Sequence, residues 1–254
     1  SIRRQRQMCI RDRLFFLAKL ASQDLRVVLS GEGADELFAG YIDYGVHTRS
    51  KLIKVVTRML AKLPKKLRYA IGRAAKGKHF HGAWHLYANL APAEEHFIGQ
   101  SKVFNEEDAV KLLKPEYRKG PSVRSIVDAI YNRIAGKGLS EVKKKQYLDM
   151  HQWMPGDILL KADKMTMAHS LELRVPLLDR VLMDVAEKVP TKYLITDENT
   201  KFAFRKAASR HLPKAWYDRE KLGFPVPVKD WLREERFYKI VPVSYTSPSP
   251  RDGL

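Results

Sequence analysis

Val27-Val28-Leu29-Ser30-Gly31-Glu32-Gly33-Ala34-Asp35-Glu36-Leu37-Phe38-Ala39-Gly40-Tyr41 decides how this chain is read. Three apolar residues run into a Ser-Gly-Glu-Gly turn, and the turn opens into a segment that soon carries two more acids. A β-strand ending in a glycine turn at a helix start is where open α/β sheets place their ligands. Free backbone N–H groups at such a start attract anions such as phosphate. Carboxylates in the turn would repel a bare phosphate, but the two are compatible when Mg²⁺ sits between them. Metal-assisted nucleotide chemistry is therefore the first functional expectation.

On either side of this run, Leu14–Ser22 reads as a helix, Leu25–Ser30 as a short strand, and residues 34–46 as the next helix. Helix, strand, helix in that order predicts a parallel α/β arrangement. Beyond residue 50 the strand signal disappears. Apolar residues at helical spacing predict helices over Lys51–Leu63, Leu67–Ala75, Ala83–Leu90, 105–113, Val123–Ala135, Ser140–Trp153, Leu177–Lys188, Lys201–His211 and Trp231–Lys239. The expected architecture is a strand-containing edge with a large, mostly helical body.

The 254 residues are 44% apolar, enough for one substantial core. A single cysteine, Cys9, excludes a disulfide within the chain and suits a reducing, cytoplasmic setting. No apolar run approaches the roughly 20 residues that span a bilayer, so no membrane partner is expected. The net charge of +18 suits an anionic partner, yet the basic residues do not interleave with aromatics as in a single-strand stacking platform. Residues 1–13 and 243–254 lack any core-forming period and resemble translated sequencing-adapter ends. The expected domain is 14–242, with both termini foreign to it.

Three clusters could carry chemistry. Glu32, Asp35 and Glu36 form the first. Acids at a helix start are common because they complement the dipole. A glycine on each side of Glu32 adds close backbone approach to a ligand, and Glu32 and Glu36 would share a face if the turn were already helical. The second cluster runs from Lys161 to Asp179 and holds Asp163, Lys164, His169, Glu172, Arg174 and Asp179 in an apolar stretch. Arg174 and Asp179 read as a structural ion pair, Met165 and Met167 as core or pocket wall, and Glu172 as the functional acid. The third is Asp218–Val228, where Lys221 precedes a Gly-Phe-Pro-Val-Pro loop. A lysine entering a nucleotide site there would neutralise charge on a phosphate or an oxyanion.

Together, Ser30–Tyr41, Asp163–Asp179 and Arg219–Val228 with Trp231 resemble the synthetase domain of the glutamine-dependent asparagine synthetases, in the family's order. The resemblance covers about residues 14–240. It implies part of a parallel adenine-nucleotide α-hydrolase-like sheet of the pyrophosphatase-loop kind. It implies a ligase of asparagine biosynthesis that activates aspartate with ATP and Mg²⁺ to β-aspartyl-AMP. Ammonia from glutamine, released by an N-terminal glutaminase domain, then gives asparagine. By position, Ser30, Gly31, Glu32, Gly33 and Asp35 would contact the nucleotide, with Asp35 as metal ligand. Glu32, Glu172 and Lys221 would be catalytic. The family's Ser-Gly-Gly-x-Asp-Ser loop does not occur in this sequence, so the chain alone is expected to bind ATP poorly and make no asparagine. Two alternatives remain. One is a related amidotransferase acting on a sugar acid, a peptide or a lactam precursor. The other, a non-catalytic nucleic-acid-binding protein, is disfavoured by the acidic motifs.

Overall fold

The structure, a computed structural model, describes residues 13–45, 50–78, 80, 82–100, 102, 106–196, 199–218 and 233–235. Helix α1 covers 13–21 and leads into β1, Val27–Leu29. β1 pairs in parallel with β2, Glu172–Arg174, in the register Val27↔Glu172, Val28↔Leu173 and Leu29↔Arg174. Between and after the strands come helices α2 to α14. The first group is α2 (Ala34–Leu37), α3 (Lys51–Leu60), α4 (Lys65–Ala75), α5 (Ala83–Leu90), α6 (Ala93–His96), α7 (Glu106–Leu112) and α8 (Val123–Asn132). The second is α9 (Glu141–His151), α10 (Leu160–Met167), α11 (Arg180–Lys188), α12 (Thr191–Leu194), α13 (Phe202–Ala208) and α14 (Lys214–Tyr217). The fold is α/β and mostly helical, with a small parallel sheet, as the sequence predicts at that level.

Three expectations are corrected. A second strand exists after residue 50; at three residues, β2 is too short to show a period of two. The helix expected over 34–46 is a single turn, α2, followed by a 3₁₀ turn at Ile42–Tyr44. Ala39 adopts a left-handed φ of 55°, and the Asp35 side chain fills the space that a Cβ on Gly40 would need, so the chain leaves the helix there. The helix over Ser140–Trp153 ends at His151 and continues as a π-helical segment, Met154–Leu159, into α10. The expected Trp231–Lys239 helix lies largely outside the described residues.

The main core gathers under the glycine turn. Leu37, Phe38, Ala39 and Tyr44 pack with Val127, Ile130 and Tyr131 of α8, Leu148 of α9, Ala186 of α11 and Leu194 of α12. Phe38 stacks on Phe204 of α13 with ring centroids 4.9 Å apart. Side-chain caps start several helices: Ser50, Ser122, Ser140 and Asp179 each accept from a backbone N–H of the first turn. α9 is the central strut. Its Gln146 amide donates to the carbonyls of Glu36 at 2.6 Å and Leu37 at 2.8 Å, fixing α2 to the body.

Candidate functional site

The turn after β1 is held from three directions. Ser30 N–H donates to the Arg174 carbonyl, extending the β1–β2 ladder by one bond. Glu32 N–H donates to the Ser30 hydroxyl at 3.3 Å. Gly33 has φ 91°, and a Cβ there would overlap the Leu178 side chain, so the first and second motifs meet at this glycine. Gly31 has no atom within 4 Å of the place its Cβ would occupy, leaving the backbone open to a ligand.

Charge converges on the same turn. The Glu32 carboxyl is held above the usual carboxylate range, first by burial and then by the charges of Asp35 and Asp157; Lys161 opposes them. Lys161 is itself buried and sits 3.3 Å from the Asp157 carboxylate, one helical turn earlier. Asp157 lies in the π-helical segment, a rare geometry that recurs at functional sites. The Asp35 carboxylate lies 3.2 Å from Lys201 Nζ. Lys201 holds a left-handed φ of 55°, which costs a non-glycine residue energy and requires a fixed surrounding. Just before it, Thr196 N–H donates to the Asn199 carbonyl and Asn199 N–H to the Thr196 hydroxyl.

The predicted residues divide. Ser30, Gly31, Glu32, Gly33 and Asp35 are brought together at the carboxyl end of β1. Glu36 does not share a face with Glu32, because the helix begins only at Ala34. Instead Glu36 is buried and accepts a 2.6 Å bond from Tyr41, whose hydroxyl also receives Trp153 Nε1. Glu172 lies at the amino end of β2, exposed and paired with Arg174 at 2.8 Å. The predicted Arg174–Asp179 pair therefore does not form; Asp179 caps α11 through Val181 N and Leu182 N. Met167 is 55% exposed and is no core residue. Lys221 and its loop lie outside the described residues. The sequence reading gave no role to Asp157, Lys161 or Lys201. The four-residue spacing of Asp157 and Lys161 was a signal for the first two; nothing local marks Lys201.

Hard oxygen donors in a net-negative turn suit Mg²⁺. Among the described residues no three acidic, histidine or cysteine side chains come together as a metal site. Mg²⁺ usually takes one or two carboxylates and completes its shell with water and substrate phosphates, so the donor set fits a metal brought with a nucleotide.

A parallel strand pair ending in a carboxylate-rich glycine turn, with buried Lys161 and half-buried Lys201 beside it, makes this an α/β domain with the turn at the carboxyl end of its first strand. The chain belongs to the asparagine synthase family, whose family-wide pattern matches residues 8–246. It is 41% identical over 222 residues to "Asparagine synthetase [glutamine-hydrolyzing] 1" of Bacillus subtilis, covering 87% of this chain and 34% of that protein. A "Putative asparagine synthetase [glutamine-hydrolyzing]" of Mycobacterium tuberculosis is 40% identical over 222 residues, covering 87% and 32%. "Amidase chyE" of Penicillium rubens is 26% identical over 238 residues, covering 86% and 35%. The chain thus spans about a third of the length of these relatives. No solved structure matches it. Among the described residues no helix is long and apolar enough to cross a membrane.

Proposed function

We propose that this chain is part of the synthetase domain of a glutamine-hydrolysing asparagine synthetase, which amidates aspartate through β-aspartyl-AMP. The observation that carries the reading is the grouping of Glu32, Asp35, Asp157 and Lys161 around an open Gly31 backbone, in a chain of this family. Adenylation puts growing negative charge on a pyrophosphate leaving group, and amide formation passes through a tetrahedral oxyanion; both call for fixed cations. Lys161, held by Asp157, is such a cation beside the turn, and Lys221 would be a second. Ser30, Gly31 and Gly33 would line the nucleotide, with backbone approach at Gly31. Glu32 would orient the reacting carboxyl and amine. The family resemblance gives Glu172 the role of acting on the amine; for that it would have to leave Arg174 and reach the turn from its place level with Val27. Mg²⁺, held by Asp35, would neutralise the pyrophosphate.

The finer fold follows the same reading. Leu25, Val27 and Leu29 are largely exposed at β1. Parallel sheets are stable with both faces covered, which supports a pyrophosphatase-loop sheet continued by other parts of the complete protein. An N-terminal glutaminase domain would supply ammonia there, in the cytoplasm. Domain limits of 14–242 belong to the same proposal.

The test is aspartate-dependent ATP–pyrophosphate exchange by a complete protein carrying this domain. Exchange is expected, with Glu32→Gln and Lys161→Met each lowering it at least about a hundredfold. The 254-residue chain alone should bind ATP weakly. Exchange driven by another carboxylic acid and not by aspartate would overturn the substrate, and unchanged exchange in both variants would overturn the site.

A further inference from the structure

Residues 50–78 hold ten lysines and arginines and no acid. They form α3 and α4, and neither helix has an acidic residue in its first turn. Lys51, Lys65 and Lys66 stand instead at the helix starts, where the dipole disfavours cations. This placement opposes local helix stability, so folding does not explain it.

The apolar residues of α3 lie on one arc whose two halves differ in exposure. Ile53, Val56 and Leu60 are half-buried on the body side, where Ile53 fills the space over Gly82. Leu52, Val55 and Met59, at spacings of three and four, are 73%, 51% and 66% exposed. At 100° per residue they form one stripe, bordered on one side by Lys51 and Arg58, with Lys62 just past the helix end; all three are exposed. No residue of α3 is fully buried. A short helix with an open apolar stripe beside a cationic flank is the pattern that lies in a membrane interface.

We propose that this face of α3, with the start of α4, docks onto an anionic membrane surface. Leu52, Val55 and Met59 enter the headgroup boundary while Lys51, Lys62, Lys65 and Lys66 meet lipid phosphates. The expectation that no membrane partner exists rests on the lack of a spanning run, and surface docking needs none. A nucleic acid would satisfy the lysines but set three apolar side chains against a charged backbone, so the stripe favours lipid. The inference is independent of the ligase reading.

Co-sedimentation of the 254-residue chain with vesicles tests it. Vesicles of phosphatidylcholine with about 30 mol % phosphatidylglycerol should bind the chain, and pure phosphatidylcholine should not. Binding should weaken steeply as salt shortens the screening length. Lys51→Glu and Lys62→Glu should each cost about fivefold or more in partitioning. The pair Leu52→Glu/Met59→Glu should cost more than about tenfold. All four side chains are exposed, so the unfolding midpoint should stay within a few degrees, and circular dichroism checks this. Equal binding to both vesicle types, or full binding by the apolar double variant, overturns the proposal. So does binding to RNA without vesicle binding, or a dimer that the double variant dissociates, since the occupant would then be nucleic acid or a second copy.

Discussion

Gly31 and Gly33 stand two positions apart and are required for different reasons. Gly33 is needed by the fold: its φ of 91° and the Leu178 side chain both exclude a Cβ. Gly33→Ala should destabilise the chain by about 1–3 kcal/mol in urea unfolding and pull the first motif away from the second. Gly31 has open space and no such φ, so Gly31→Ala should leave the unfolding midpoint nearly unchanged while weakening nucleotide binding in a complete protein. If the two variants unfold alike, the division of roles is wrong. This pair also marks how far the sequence could be read. Ser30-Gly31-Glu32-Gly33 announces a turn at a strand end, and the turn is there. Which glycine faces Leu178 depends on a residue about 145 positions away, and no local pattern encodes that. Lys201 is the same case: its 3.2 Å approach to Asp35 joins segments that share no spacing rule.

At the level of elements, α9 shows what charge pattern alone does not reveal. Glu-Val-Lys-Lys-Lys-Gln-Tyr-Leu-Asp looks like a solvated basic helix, yet Lys144, Lys145, Gln146 and Asp149 are buried. Their partners lie far away in sequence. Lys144 pairs with Glu94 at 2.6 Å, and Lys145 donates to the carbonyls of Asp43 and Tyr44. Asp149 accepts from the Tyr44 hydroxyl at 2.7 Å and from Gln100 N at 3.0 Å. Burial raises the Asp149 carboxyl to about 7 and lowers the Lys145 amine to about 8. Asp149 is raised above its ordinary 3.8, so its favourable contribution is complete below that value and is lost as pH rises towards about 7. Lys145 is lowered from 10.5, so its contribution is present above that value and is lost as pH falls through about 8. Stability from this pair should therefore be poorest between about pH 7 and 8. Asp149→Asn keeps one acceptor oxygen for Gln100 N–H, and its amide nitrogen can donate to the Tyr44 hydroxyl; the substitution should flatten the acid-side slope in urea unfolding measured from pH 4 to pH 7. A slope identical to the parent's would assign it to other groups. Gln146→Met should cost about 1–3 kcal/mol, because two buried carbonyls of α2 lose their donor.

Across the whole molecule exposed apolar residues are spread widely, and one group of them lies along α1 and β1. Phe16, Leu17 and Leu20 on α1 and Leu25, Val27 and Leu29 around β1 are all between 41% and 73% exposed. A two-stranded parallel sheet is a poor structure on its own: Val28 and Leu173 are half-buried on one face, but Val27 and Leu29 leave the other open, and its edges offer unpaired N–H and C=O groups. Scattered exposed apolar residues are normal on a protein surface, whereas a run of six on adjacent elements marks an interface. The chain matches only about a third of its relatives' length, and the relatives supply enough sequence to complete the sheet. The 254-residue chain should therefore bind a hydrophobic dye such as ANS in its native state and self-associate at micromolar concentration. Leu20→Lys with Leu29→Lys should reduce both, since each places a charge on the open face without touching the main core under the turn. The same two substitutions in a complete protein should instead destabilise it, by about 2 kcal/mol or more in thermal unfolding, because there they would meet a packed neighbour. An opposite result, with the isolated chain dye-silent and the complete protein indifferent, would mean that α1 and β1 face water in both and that the parallel pair is the whole sheet.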